Sequence, residues 1–109
     1  MIIKFDEMEE KSLPSFQGGE GVFYAHMFVD EKIKILKGKL VPGATIGLHR
    51  HIPTSEVIFI LSGTGTAFCE GEKEILHAGD CHYCPKGSEH TLQNLGDEDL
   101  LFYAVVPQQ

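Results

Sequence analysis

The stretch GATIGLHRHIPTSEVIFILSG, Gly43 to Gly63, decides how the rest of the chain is read. It follows a Pro42-Gly43 turn signal, carries His49 and His51, crosses a break at Pro53, and reaches Glu56 ahead of the apolar run Val57 to Leu61. β-branched and aromatic residues between Gly and Pro breaks mark short strands joined by turns. On a strand, His49 and His51 leave the same face and Arg50 between them points away. A second stretch, GDCHYCPKGSEHTLQN, Gly79 to Asn94, is built the same way around Pro85-Lys86-Gly87 and supplies His90 and Asn94.

Outward from these two stretches the same pattern continues. It predicts nine strands, at Val22 to Val29, Ile33 to Val41, Ile46 to His51, Ser55 to Leu61, Gly65 to Glu70, Glu74 to His77, Cys81 to Cys84, His90 to Asn94 and Leu100 to Val106. Asp6 to Lys11 is long enough for one helical turn only, too short to carry an apolar face. At 109 residues the chain is one domain, large enough for one core and too small for a second.

Written as spacing, the two stretches are G-x5-H-x-H-x4-E-x6-G and G-x5-P-x-G-x2-H-x3-N, and they resemble both halves of the cupin signature with no position missing. The resemblance implies a single cupin domain over residues 1–109, with motif 1 at 43–63 and motif 2 at 79–94. It also implies an all-β fold, a double-stranded β-helix or jelly-roll barrel with little helix. In such a barrel His49, His51, Glu56 and His90 come together from three strands as ligands of one divalent transition metal per chain. Imidazole and carboxylate suit Zn, Mn, Fe, Ni, Co or Cu, and affinity alone does not choose among them. Three neutral histidines, one carboxylate and a divalent ion leave a local charge of about +1, which welcomes an anion.

Residues that share parity with the ligands are Ile58 and Ile60 after Glu56 and Leu92 after His90, so the expected pocket is apolar. Neither motif supplies a basic residue of inward parity, although Lys37 and Lys39 reach inward if their strand carries a bulge. Two functions stay open. One is a metalloenzyme acting on a small organic substrate, anionic and bidentate through oxygen, by isomerase, lyase or dioxygenase-type chemistry. The other is a non-catalytic module that binds a metal and a small ligand for sensing or transport. Under the first, the candidate acids or bases are His82, Tyr24, Tyr83 and Glu56 itself.

Cys81 and Cys84 lie three apart on one strand and face opposite sides, which argues against joint chelation or a bridge. Three cysteines, an odd count, and an acidic N-terminus without an apolar stretch point to a reducing cytoplasm. A net charge of -7 with scattered basic residues argues against nucleic acid and anionic membrane as partners. Val57, Phe59 and Leu61 alternate opposite to Glu56 and form an outward apolar stripe, from which a symmetric homodimer is expected.

Overall fold

In the computed structural model, which describes all 109 residues, the alternating segments form ten antiparallel strands. These are β1 (Lys11–Pro14), β2 (Val22–Val29), β3 (Ile33–Leu40), β4 (Thr45–Arg50), β5 (Glu56–Ser62), β6 (Thr64–Cys69), β7 (Glu72–His77), β8 (Cys81–Cys84), β9 (Glu89–Gln93) and β10 (Leu100–Pro107). All nine expected strands are present, with ends within two residues of the sequence estimate. The tenth, β1, pairs with β2 at the sheet edge. It escapes sequence reading because it is four residues long and ends in proline, a residue tolerated at an edge that donates nothing further. The short N-terminal turn is a 3-10 turn at Phe5–Glu7, and a second lies at Phe16–Gly18.

Two sheets face each other. One has six strands in the order β1-β2-β3-β10-β5-β8, and the other four in the order β4-β9-β6-β7. This is an all-β jelly roll with little helix, and no helix is long and apolar enough to cross a membrane.

Alternation along the strands fills the interior. Phe23, Leu36, Leu40, Ile58, Ile60, Leu92, Leu100 and Phe102 are buried together between the sheets. The Phe23 and Phe102 rings stack with centroids 5.8 Å apart. Gly38 makes that possible, because a Cβ there would meet both rings at 2.6 to 2.7 Å. Asn94 is fully buried and acts as an anchor. Its side-chain amide donates to the Leu40 and Glu98 carbonyls, both at 2.8 Å, and its carbonyl oxygen accepts from the Gly96 N–H.

On the outer face of the large sheet, the N-terminal segment lies across β3 and β10. Phe5 packs on Tyr103, Asp6 meets Lys37 at 3.4 Å, and His26 contacts the Met8 carbonyl and Glu10. Lys37 therefore points outward, and so does Lys39, whose ammonium sits 4.8 Å from the centre of the Tyr24 ring.

Candidate metal centre

His49 and His90 face each other across the β4–β9 pair, and Glu56 opens β5 on the opposite sheet. Simple alternation along β4 would put Ile46 and His49 on opposite faces. The pairing shows otherwise: Ile46 lies opposite Leu92 and His49 opposite His90, so three residues of β4 span two of β9. This bulge at Gly47-Leu48 turns Leu48 out to solvent and brings Ile46, His49 and His51 inward. Gly47 also allows the second 3-10 turn to approach, since a Cβ on it would lie 2.1 Å from the Gln17 carbonyl oxygen.

Four donor atoms converge. The Nε2 atoms of His49, His51 and His90 are 3.2, 2.9 and 3.1 Å apart, taken pairwise. Glu56 Oε1 is 3.0 Å from His51 Nε2, 2.9 Å from His90 Nε2 and 3.8 Å from His49 Nε2. Each ring is held through its other nitrogen. His49 Nδ1 donates to the Gly47 carbonyl at 2.8 Å, His51 Nδ1 lies 2.8 Å from the Thr54 hydroxyl, and His90 Nδ1 lies 2.9 Å from His82 Nε2. The Gly47 carbonyl only accepts, so His49 Nε2 presents a lone pair to that point, and with Nδ1 as the donor His51 and His90 do the same.

Three lone pairs and a carboxylate oxygen repel one another unless a cation lies between them, so the donor set suits a metal ion. The spacings discriminate further. Nitrogens about 2.1 Å from a common centre sit about 3.0 Å apart at right angles and about 3.4 Å apart at the tetrahedral angle. Five of the six separations fall between 2.9 and 3.2 Å, and the sixth, from His49 to Glu56, is 3.8 Å. That last separation exceeds the tetrahedral value and falls short of the about 4.2 Å between opposite corners, so the four donors surround one point whose remaining side faces the cavity.

The electrostatics agree. Burial acts to raise the Glu56 pKa, but its close contacts with the His49, His51 and His90 imidazoles outweigh burial and hold the carboxyl well below the usual carboxylate range. Burial likewise acts to lower His49, but Glu56 and the Gly47 carbonyl raise it above its ordinary value, with Lys34 opposing. His90 lies below its ordinary value, first through burial and further through His49 and His82, against the pull of Glu56. The cluster keeps an ionised carboxylate in a nearly dry site, which favours a positive charge beside it.

A cavity of about 340 Å³ opens on the donors. Ile46, Ile58, Leu92 and Phe102 line its inner wall, but Asp30, Glu31, Lys32 and Arg50 line it too, so the cavity is not the apolar pocket expected from strand parity; Ile60 lies one inward position further along β5, in the core. Lys34 also lines the cavity, a residue that sequence reasoning passed over in favour of Lys37 and Lys39. The signal was available: Leu36, Gly38 and Leu40 are buried on one face of β3, and Lys34 shares their parity. Arg50 reaches the rim but is engaged by the Gly87 carbonyl, Glu70 and Glu89.

The candidate acids and bases separate by parity. Tyr24 sits on the outer face under Lys39, and Tyr83, 56% exposed, also points outward from β8. His82 turns inward but stands behind His90 and does not line the cavity. Glu56 is among the four donors. Cys84 is buried with its thiol pushed up to about 12, chiefly by burial, whereas Cys81 is exposed.

Comparison with known proteins places these features in a family. A family model described as Cupin domain matches residues 36–106. A protein from Thermotoga maritima named oxalate-binding protein is 31% identical over 112 residues, covering 97% of this chain and 93% of that protein. A crystal structure described as a predicted oxalate decarboxylase from Thermotoga maritima superposes with a TM-score of 0.94 at 28% identity, over 100% of both chains. An RmlC-like cupin from Shewanella frigidimarina shares the fold, with a TM-score of 0.82 at 16% identity over 99% of this chain and 90% of that one.

Proposed function

The chain belongs to the cupin family, and from that premise we propose that His49, His51, Glu56 and His90 hold one divalent transition-metal ion that binds a small anion through two oxygens. A dicarboxylate of the oxalate class is the first candidate. The donor cluster carries this proposal: three imidazole nitrogens and a carboxylate oxygen crowd one point that opens on a cavity, which gives ligand oxygens access to an ion held there. A bound divalent ion supplies a Lewis-acid centre there.

The residues around it select the ligand. Glu56 takes the local charge of ion and donors to +1, and among the other charged residues lining the cavity Lys32, Lys34 and Arg50 outnumber Asp30 and Glu31, which brings it to about +2 and favours a dianion. Ile46, Ile58, Leu92 and Phe102 give the ligand's carbon skeleton an apolar wall beside the donors. The name of the Thermotoga oxalate-binding protein supports the same ligand class.

Whether the ligand is converted or only held is decided by what can move a proton beside it. Isomerase, lyase or dioxygenase-type chemistry would have Lys34, Asp30 and Glu31 of the cavity lining at hand, and Glu56, which is already committed as a donor. Tyr24 and Tyr83 on the outer face, and His82 behind His90, favour reversible binding, as in sensing or transport. Calorimetric titration of oxalate into metal-loaded protein should give one site per chain, and titration into metal-free protein should give none. Equal binding with and without metal would sink the proposal. Consumption of oxalate or of dioxygen by the loaded protein would replace the binding module with an enzyme.

The outer sheet supports a homodimer. Phe28, Ile35, Val105, Val57 and Tyr83 lie side by side across β2, β3, β10, β5 and β8, with Phe59 and Leu61 exposed beside them. A continuous apolar row across five strands is the kind of face two copies bury together. Sedimentation should give twice the 12.1 kDa chain mass; a single-chain mass at micromolar concentration would contradict the dimer.

A further inference from the structure

Behind His90, on the side away from the cavity, two residues form a chain that none of the roles above uses. His82 Nε2 lies 2.9 Å from His90 Nδ1, and His82 Nδ1 lies 2.6 Å from Glu74 Oε1. The His82 side chain has no exposed surface, whereas Glu74 is 43% exposed. The three residues tie the two sheets together, since His82 stands on β8 of the large sheet and Glu74 and His90 on β7 and β9 of the small one. The His82 and His90 rings are parallel to within 9°, with centroids 5.2 Å apart.

The direction of each hydrogen bond follows from the donor inventory. An ionised carboxylate only accepts, so His82 Nδ1 carries the hydrogen that meets Glu74. A neutral His82 then has a bare Nε2, which accepts from His90 Nδ1–H. His90 is left with its lone pair on Nε2, the atom that points at His49, His51 and Glu56. His49 gains the same tautomer from the Gly47 backbone carbonyl, and the Thr54 hydroxyl can accept from His51 Nδ1–H, but only His90 is set by a side-chain relay that reaches solvent.

We propose that Glu74 and His82 are positioning residues for the metal centre: through two directed hydrogen bonds they fix the Nδ1–H tautomer and the ring plane of His90 and so raise the affinity for the metal. This rests on the assignment of His90 as a ligand, and partners of this kind elsewhere are worth about 10- to 100-fold in metal affinity. In a chain where three imidazole nitrogens crowd within 3.2 Å, a ring free to present Nε2–H would close the site to a cation.

The test has two readouts. Nitrogen-15 NMR of the metal-free protein should show His82 and His90 both protonated on Nδ1, a result that needs no metal. Competition of Co²⁺ against a chelator should then show His82→Phe, which keeps an aromatic ring in the place of the imidazole but has no nitrogen, binding about 10- to 100-fold more weakly than wild type. His82→Gln, whose amide can accept from His90 and donate to Glu74, should recover most of that loss, which a merely space-filling role would not predict. Glu74→Gln, made at a partly exposed site that leaves the core intact, should weaken binding by a smaller factor. Co²⁺ affinities within twofold of wild type for His82→Phe and Glu74→Gln, or an Nε2–H tautomer at His90, would overturn the relay while leaving the centre in place. A wild-type protein that takes up no Co²⁺ would overturn the centre and the relay together.

Discussion

Along β9 the inward side chains run His90, Leu92 and, just past its end, Asn94; along β5 they run Glu56, Ile58 and Ile60; along β3 they run Lys34, Leu36, Gly38 and Leu40. The same strands therefore build two ends of one interior. At the closed end Leu40, Leu100 and Asn94 are at most 1% exposed, and the buried polar group there has all its partners inside the protein. At the open end three imidazoles and a carboxylate crowd a point beside a cavity. Alternation aims side chains inward at both ends alike, so the difference lies in which residues occupy the inward positions. The closed end stabilises the fold unconditionally, through apolar burial. The open end does so only when a cation relieves the repulsion among its donors, which couples folding to metal binding.

Substitutions can break this contrast. The largest stability effect belongs to the closed end: Leu100→Ala, at a fully buried side chain packed over Gly65, should cost about 2 to 5 kcal/mol in chemical denaturation. The folded fraction should still take up one metal per chain, and loss of stoichiometry there would show that the two ends are not separable. Next comes the metal itself. Loading wild-type protein at 100 times the dissociation constant should stabilise it by about 2.7 kcal/mol, and His49→Ala/His51→Ala should lose that gain. The metal-free double variant should be no less stable than metal-free wild type, because it removes two crowded rings; a large loss would mean that the cluster stabilises the fold without metal.

A smaller effect sharpens the comparison within the open end. Lys34→Met should weaken oxalate binding about tenfold by removing a charge-assisted contact, with metal affinity unchanged or slightly higher. Equal oxalate affinity would place the ammonium outside the ligand's reach. The smallest effect is at the thiols. With the Cys84 thiol pushed up to about 12, maleimide at pH 8 should modify exposed Cys81 and leave Cys84 untouched in the native protein. Rapid labelling of Cys84 would show that β8 opens readily.

Both motifs were legible in the sequence because their residues sit at turns and at fixed strand spacing, which the chain carries as local information. So were the jelly roll and the convergence of His49, His51, Glu56 and His90. The phase of β4 was not: Ile46 and His49 both face inward only because of the bulge at Gly47-Leu48, and a bulge is set by the partner strand and the approach of Gln17. Lys34 stands outside both motifs and became visible once the parity of Leu36 and Leu40 was known. The role of His82 depends on Glu74, eight residues earlier and on the other sheet, a contact that no local pattern encodes. β1 was hidden by its brevity and its proline.

The most direct test of the metal centre is elemental analysis of protein purified without added metal or a histidine tag, beside the His49→Ala/His51→Ala variant. About one transition-metal ion per chain in the wild type, absent from the folded variant, is the predicted result. A folded wild type that carries no metal and takes none up on reloading, or a variant that retains it, would contradict the account.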